Sequence, residues 1–234
     1  MQITYPTKET DVAELSIDGN LIRYSIPPKI GTHKEVFQSL SADKRLTTAQ
    51  GKEIVAYANG ALVYRKNEWA DQEKIRFSTK NYLRFPAVLT IIPKREEFGE
   101  LEGGMLVDLD LEGEGIEKKT EVPKELSGWK ASEGGILVKE QRIFVPYEKW
   151  YQEQWDENNG AVIALCSREG AESLARTAKD SKRNDKPLWK VDVNNLGAPE
   201  KRVPVLGGVV DCRLYLDCND HGDYRSGCGA GVLK

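Results

Sequence analysis

Histidine is nearly missing from this chain: His33 and His221 are the two in 234 residues. That scarcity leaves few bases for acid–base or nucleophilic chemistry near neutral pH, and few imidazoles for metal binding. Cysteine occurs four times and never as Cys-x-x-Cys, which excludes a dense disulfide framework and a paired zinc knuckle. Cys166, Cys212, Cys218 and Cys228 therefore read as reduced thiols. Long apolar runs are missing as well. Ala87–Ile92 and Ala161–Cys166 are strand-sized, far short of the ~20 residues that a membrane-spanning helix needs. The opening MQITYPTKETD has neither an apolar leader nor an Arg-rich amphipathic pattern, so the expected location is cytoplasmic. Gly-x-Gly-x-x-Gly, Walker, His-Glu-x-x-His and Gly-x-Ser-x-Gly motifs do not occur, which counts against the commonest nucleotide-binding, zinc-protease and serine-hydrolase chemistries. A net charge of −3 and a pI near 5.7 argue against whole-surface attraction to nucleic acid or anionic lipid. A membrane is not an expected partner.

What is present is an ordinary core-forming composition. Hydrophobic residues make up 39% and charged residues 30%, with a mean hydropathy of −0.54. A chain of this length buries roughly 70% of its unfolded surface without covalent staples. Val12–Ser25 alternates around Asp18-Gly19-Asn20, which predicts a hairpin. Thr32-His33-Lys34-Glu35 has the form of a capping box. A second helix is expected from Thr47 or Thr48, because Ile54, Val55, Ala58, Ala61 and Leu62 share one helical stripe. A third is expected from Glu68 to Tyr82. Strands follow at Ala87–Ile92 and Met105–Leu111, then in a hairpin of Ile136–Val138 with Ile143–Val145. A short helix over Tyr147–Trp155 precedes a buried strand at Ala161–Cys166. Ser167 then caps a helix to about Lys179, and Leu188–Val193 and Val203–Cys218 are the last strands. The expected fold class is α+β: a helix-rich N-terminal part, a mostly antiparallel C-terminal sheet and one βαβ-like unit around 161–193. A single domain over 1–234 is expected, with possible sub-lobes at 1–93 and 105–234.

Three stretches carry candidate chemistry. In the acidic strand, Asp108 and Asp110 project from one face, and ten acids face two lysines between Glu96 and Glu121. Carboxylates spaced this way hold Mg²⁺ in phosphoryl-transfer sites. Glu117 and Lys119 add the acid-x-Lys of metal-dependent nucleases, so Asp108, Asp110, Glu117 and Lys119 form the catalytic candidate. The plainer reading is a half-exposed strand with charges on its wet face. The second stretch is Tyr64–Phe85, where Arg65, Lys66, Trp69, Lys74, Arg76, Lys80 and Arg84 combine phosphate-binding cations with a ring that stacks on bases. The plainer reading is an amphipathic helix. The third is the C-terminus, where Cys218, His221 and Cys228 flank a glycine-rich turn and offer ligands for Zn²⁺. Cys212 and Cys218 share a strand face about 20 Å apart, which leaves Cys212 as core. Tyr147, Trp150 and Tyr151 share a helix face, a pattern that stacks on a sugar or base but more commonly packs a helix onto a sheet.

The leading functional expectation is a non-enzymatic binding or assembly protein whose partner is another protein or a second copy of itself. A metal-dependent, phosphodiester-acting enzyme using Mg²⁺ or Zn²⁺ is the alternative. Single-stranded nucleic-acid or RNA binding is the third.

Overall fold

The computed structural model describes residues 2–4, 12–17, 20–25, 29–55, 82–180, 186–208, 214–223, 225, 227–229 and 231–234. Strands β1 (Gln2–Thr4), β2 (Val12–Ile17) and β3 (Asn20–Ser25) form an antiparallel meander. Val12 lies opposite Ser25 and Ile17 opposite Asn20, the register of an antiparallel hairpin. After β4 (Lys29–Ile30), α1 (His33–Ala42) begins at the expected box. Glu35 N donates to Thr32 Oγ1 at 3.2 Å and Thr32 N to Glu35 Oε2 at 2.9 Å.

The chain continues through β5 (Leu46–Thr48), β6 (Tyr82–Arg84), β7 (Ala87–Ile91), β8 (Met105–Leu109), β9 (Lys130–Ala131), β10 (Leu137–Lys139) and β11 (Arg142–Val145). Helices α2 (Tyr147–Trp150) and α3 (Gly160–Asp180) precede β12 (Leu188–Trp189), β13 (Glu200–Gly208), β14 (Leu214–Asp220), β15 (Gly227–Gly229) and β16 (Gly231–Leu233). Strands dominate the described residues, and the helix-rich N-terminal part is corrected. Among the described residues before Pro93 there are seven strands, with helix at α1 and at residues 52–55. Thr47 and Thr48 lie in β5 and Tyr82 in β6. Ile54 and Val55 are helical and buried, while Ala58, Ala61, Leu62 and most of Glu68–Tyr82 fall outside the described residues.

The βαβ-like unit is also corrected, because Ala161–Cys166 is the start of α3 and not a strand. Asn159 is the reason: its Oδ1 accepts from Ala161 N at 3.0 Å and Val162 N at 3.3 Å, the side-chain cap that starts a helix. Its Nδ2 donates to Trp150 O at 3.2 Å, tying α2 to α3. At Ser167 the helix kinks, with φ 65° and ψ 167°, and Ser167 Oγ accepts from Gly170 N at 3.4 Å to cap the second half.

Two sheets result. The smaller runs β1-β2-β3-β16-β5, and the larger runs β4-β15-β6-β13-β7-β8-β11-β10-β9 with β14 on β13 and β12 on β14. β13 pairs with β7 through Glu200–Arg202 and with β6 through Val205 and Leu206. Beyond that shared strand the sheet forks: β8, β11, β10 and β9 continue from β7, and β15 and β4 continue from β6.

The main core joins Leu89, Ile91, Met105 and Val107 of the sheet to Ala161, Val162 and Leu165 of α3. The other sheet face is covered too, since Leu106 and Phe144 pack with Ile92 and Leu101, and Val122, Leu126 and Trp129 close over them. At about 25 cal/mol per Å² of apolar surface, this second layer makes the 96–129 segment part of the packed structure.

Candidate functional site

The acidic strand is buried, not wet. β8 lies between β7 and β11, so Asp108 faces Arg142 across the ladder. Arg142 Nε donates to Asp108 Oδ1 at 2.6 Å and Nη2 to Oδ2 at 3.3 Å. The same Nη2 donates to Glu121 O at 2.9 Å, drawing the following loop over the strand. Asp110 is fully buried beside His33, itself 2% exposed. His33 Nε2 bonds Asp110 Oδ2 at 2.8 Å, Gly115 N donates to the same oxygen at 2.8 Å, and Glu114 N donates to Oδ1 at 3.1 Å. Burial pushes the Asp110 pKa up, but the bonds from His33, Gly115 and Glu114 outweigh it and hold the carboxyl below the usual range.

All four carboxylate oxygens are thus engaged. Glu117 is exposed and reaches Lys34 at 3.4 Å, and Lys119 is exposed. The four catalytic candidates are not brought together around one point. Among the described residues no group of three His, Cys, Asp or Glu is placed to hold a metal.

Cys218 and Cys228 lie on β14 and β15, with β13 and β6 between them. Three inter-strand steps amount to about 14 Å, beyond what a shared zinc can bridge with ~2.3 Å bonds to sulfur. Both thiols are buried, and His221 is exposed beyond the end of β14. Of the basic stretch, Arg65, Lys66, Trp69, Lys74, Arg76 and Lys80 lie outside the described residues. Arg84 is 1% exposed. Its Nε donates to Gly31 O at 3.3 Å and Nη1 lies 3.6 Å from Asp220. A side chain at Gly227 would strike its guanidinium, so Arg84 is an interior cation.

The aromatic helix is self-satisfied. Tyr147 and Tyr151 stack with centroids 4.8 Å apart. Lys94 caps one ring and Lys190 the other, each 4.0 Å from the centroid. Trp150 is buried and donates to Gly103 O at 3.2 Å.

The surface that remains was not read from the sequence. Trp189 is 56% exposed on β12, which has β14 as its strand partner among the described residues. Its ring lies 6.3 Å from that of Tyr215, which lies 6.0 Å from that of Tyr82. Tyr215 spans β13 at Gly207, where a Cβ would come 2.5 Å from the ring. Asp217 is directly opposite Trp189 in the parallel register. It accepts from Asn219 N at 2.7 Å. Burial, reinforced by Asp220, raises the Asp217 pKa against the pull of that bond. No cation among the described residues forms an ion pair with it. The result is an exposed indole, backed by tyrosine, beside a partly desolvated carboxylate.

A solved structure is similar to this chain along nearly its whole length. It is described as "Accommodation of massive sequence variation in Nanoarchaeota by the C-type lectin fold", with 13% identity, coverage of 97% of this chain and 98% of that one, and a TM-score of 0.42. No protein-family model matches the chain, and no curated protein matches it. No helix among the described residues is long and apolar enough to cross a membrane.

Proposed function

We propose that the chain is a non-enzymatic binding protein that engages a partner protein through the Trp189 face. One observation carries the reading: a tryptophan more than half exposed on β12, supported from behind by Tyr215. Tryptophan and tyrosine dominate interface hot spots because they bury large area at little cost in side-chain entropy. Asp217 supplies the polar complement, since a carboxylate lacking a cation favours an Arg or Lys from the partner. The cytoplasm is the location we infer, supported by Cys166 and Cys218 standing as buried thiols outside any disulfide.

The test compares wild type, Trp189→Ala and a Leu21→Ala control, Leu21 being 57% exposed on the smaller sheet. Sedimentation velocity reads self-association, and paired affinity capture from a cell extract reads other partners. The expected result is a complex weakened at least ~30-fold by Trp189→Ala, the effect of losing a hot spot, and retained by Leu21→Ala. Complexes that ignore Trp189→Ala, or no complex by either method, overturn the reading.

A further inference from the structure

We propose that a cleft beneath the kink of α3 binds an uncharged, apolar small molecule bearing one hydrogen-bonding end. The sheet presents Ala87, Val107, Leu109 and Ile143 to α3, and α3 answers with Ala164 and Leu165. Two of these six are alanines, and the space their methyls leave between helix and sheet is an open cleft of about 300 Å³. That volume stands at the lower end of the ~300–1,000 Å³ typical of small-molecule sites.

Among the described residues the polar side chains in the lining are Gln50, Gln141 and Ser167, and no carboxylate, amine or guanidinium belongs to it. A charged ligand entering here would lose its hydration and find no counterion, whereas a neutral one meets amides and a hydroxyl at the rim. Ser167 supplies a second, independent observation. It holds φ 65°, a conformation that costs a non-glycine residue of this type free energy and recurs at ligand sites. Its Oγ accepts one long bond from Gly170 N, which leaves the hydroxyl proton to donate toward a ligand. None of these residues belongs to the Trp189 face, so either site can fail without the other.

The probe is N-phenyl-1-naphthylamine, a neutral dye that brightens in apolar surroundings, titrated into the full chain and competed with 1-octanol, octanoate or octylammonium. The expected result is saturable binding of one dye per chain, displaced by octanol and at least roughly tenfold less well by either charged analogue. Ala164→Phe fills the cleft and Gln141→Trp blocks its mouth from an exposed turn. Each is expected to weaken the dye at least roughly tenfold, with far-UV circular dichroism confirming the fold. Ser167→Gly is expected to weaken octanol about fivefold through one lost hydrogen bond. The proposal is overturned by non-saturable binding, or by affinity indifferent to both blocking variants. Equal competition from the charged analogues also sinks it, as does dye binding that emerges only on dilution, the sign of a second copy seated in the cleft.

Discussion

Asp110→Asn is the sharpest single perturbation of this fold. Asp110 accepts at both oxygens, from His33 and Gly115 on one and Glu114 on the other, and it is fully buried. Asparagine keeps the shape and one accepting oxygen, but its NH₂ then faces a donor on the other side. One or two buried donors lose their acceptor at ~1–3 kcal/mol each, and the remaining bonds lose their charge assistance. Lys118 Nζ, which lies 4.0 Å from Asp110 Oδ1, is not stranded, because it also reaches Glu114 at 3.2 Å. The expected loss is about 3 kcal/mol at neutral pH, or about 6–12 °C for a chain of this size. The native carboxyl is held below its ordinary value, so the unfolded chain binds the proton first as pH falls. Its stabilisation is therefore complete above the unfolded pKa near ~3.9 and lost as pH drops through the lower folded pKa. Urea and thermal unfolding of wild type and variant across this range should show two curves that converge in acid. A double-mutant cycle with His33→Gln should give a coupling of about 1–3 kcal/mol. A variant within about 0.5 kcal/mol of wild type at neutral pH, or a gap that does not narrow in acid, refutes the reasoning.

Two further outcomes follow from local geometry. Ser167→Gly removes the positive-φ penalty at the kink, and a glycine cap costs only a few tenths of a kcal/mol, so the melting temperature should hold or rise. Ser167→Ala keeps the penalty and loses the cap, for a loss of about 1 kcal/mol; the opposite ranking of the two melting temperatures would show that the kink is unstrained. Burial pushes the Cys166 and Cys218 thiols far above their ordinary pKa, so the reactive thiolate is depleted at mildly alkaline pH. Mass spectrometry after iodoacetamide treatment should find both intact in the native chain and modified after denaturation, and fast native alkylation of either would contradict the packing.

Local signals were legible in the sequence wherever the responsible residues sit side by side. The β2–β3 hairpin, the Thr32–Glu35 box and the Ser167 cap are of that kind. Ala161–Cys166 failed because a six-residue apolar run has no readable period, and the deciding signal lay just upstream in Asn159. The acidic strand failed differently. Alternation set Asp108 and Asp110 on one side, but what covers that side is Arg142 and His33, 34 and 77 residues away in sequence. Trp189, Tyr215 and Tyr82 were illegible for the same reason, since only the sheet order brings them into one row.

The fork in the larger sheet connects these features, and it traces to two prolines. Pro86 has no N–H to donate where β6 gives way to β7, and Pro204 has none where β13 shifts register against β14 between Val203 and Val205. Their carbonyls are used: Phe85 N donates to Pro204 O at 3.2 Å, and Asp110 N to Pro86 O at 2.8 Å. That second bond is the last between the β8 segment and the β6–β7 strand. Asp110 then accepts from Glu114 and Gly115 and turns the chain away. Because β8 stops there, the edge of β6 is left to β15, and Gly227 can approach Arg84 closely enough that no side chain would fit. Asp110 is therefore a terminator of pairing as much as a partner of His33. Its burial, which the alternation pattern could not reveal, is what divides one long strand between two sub-sheets.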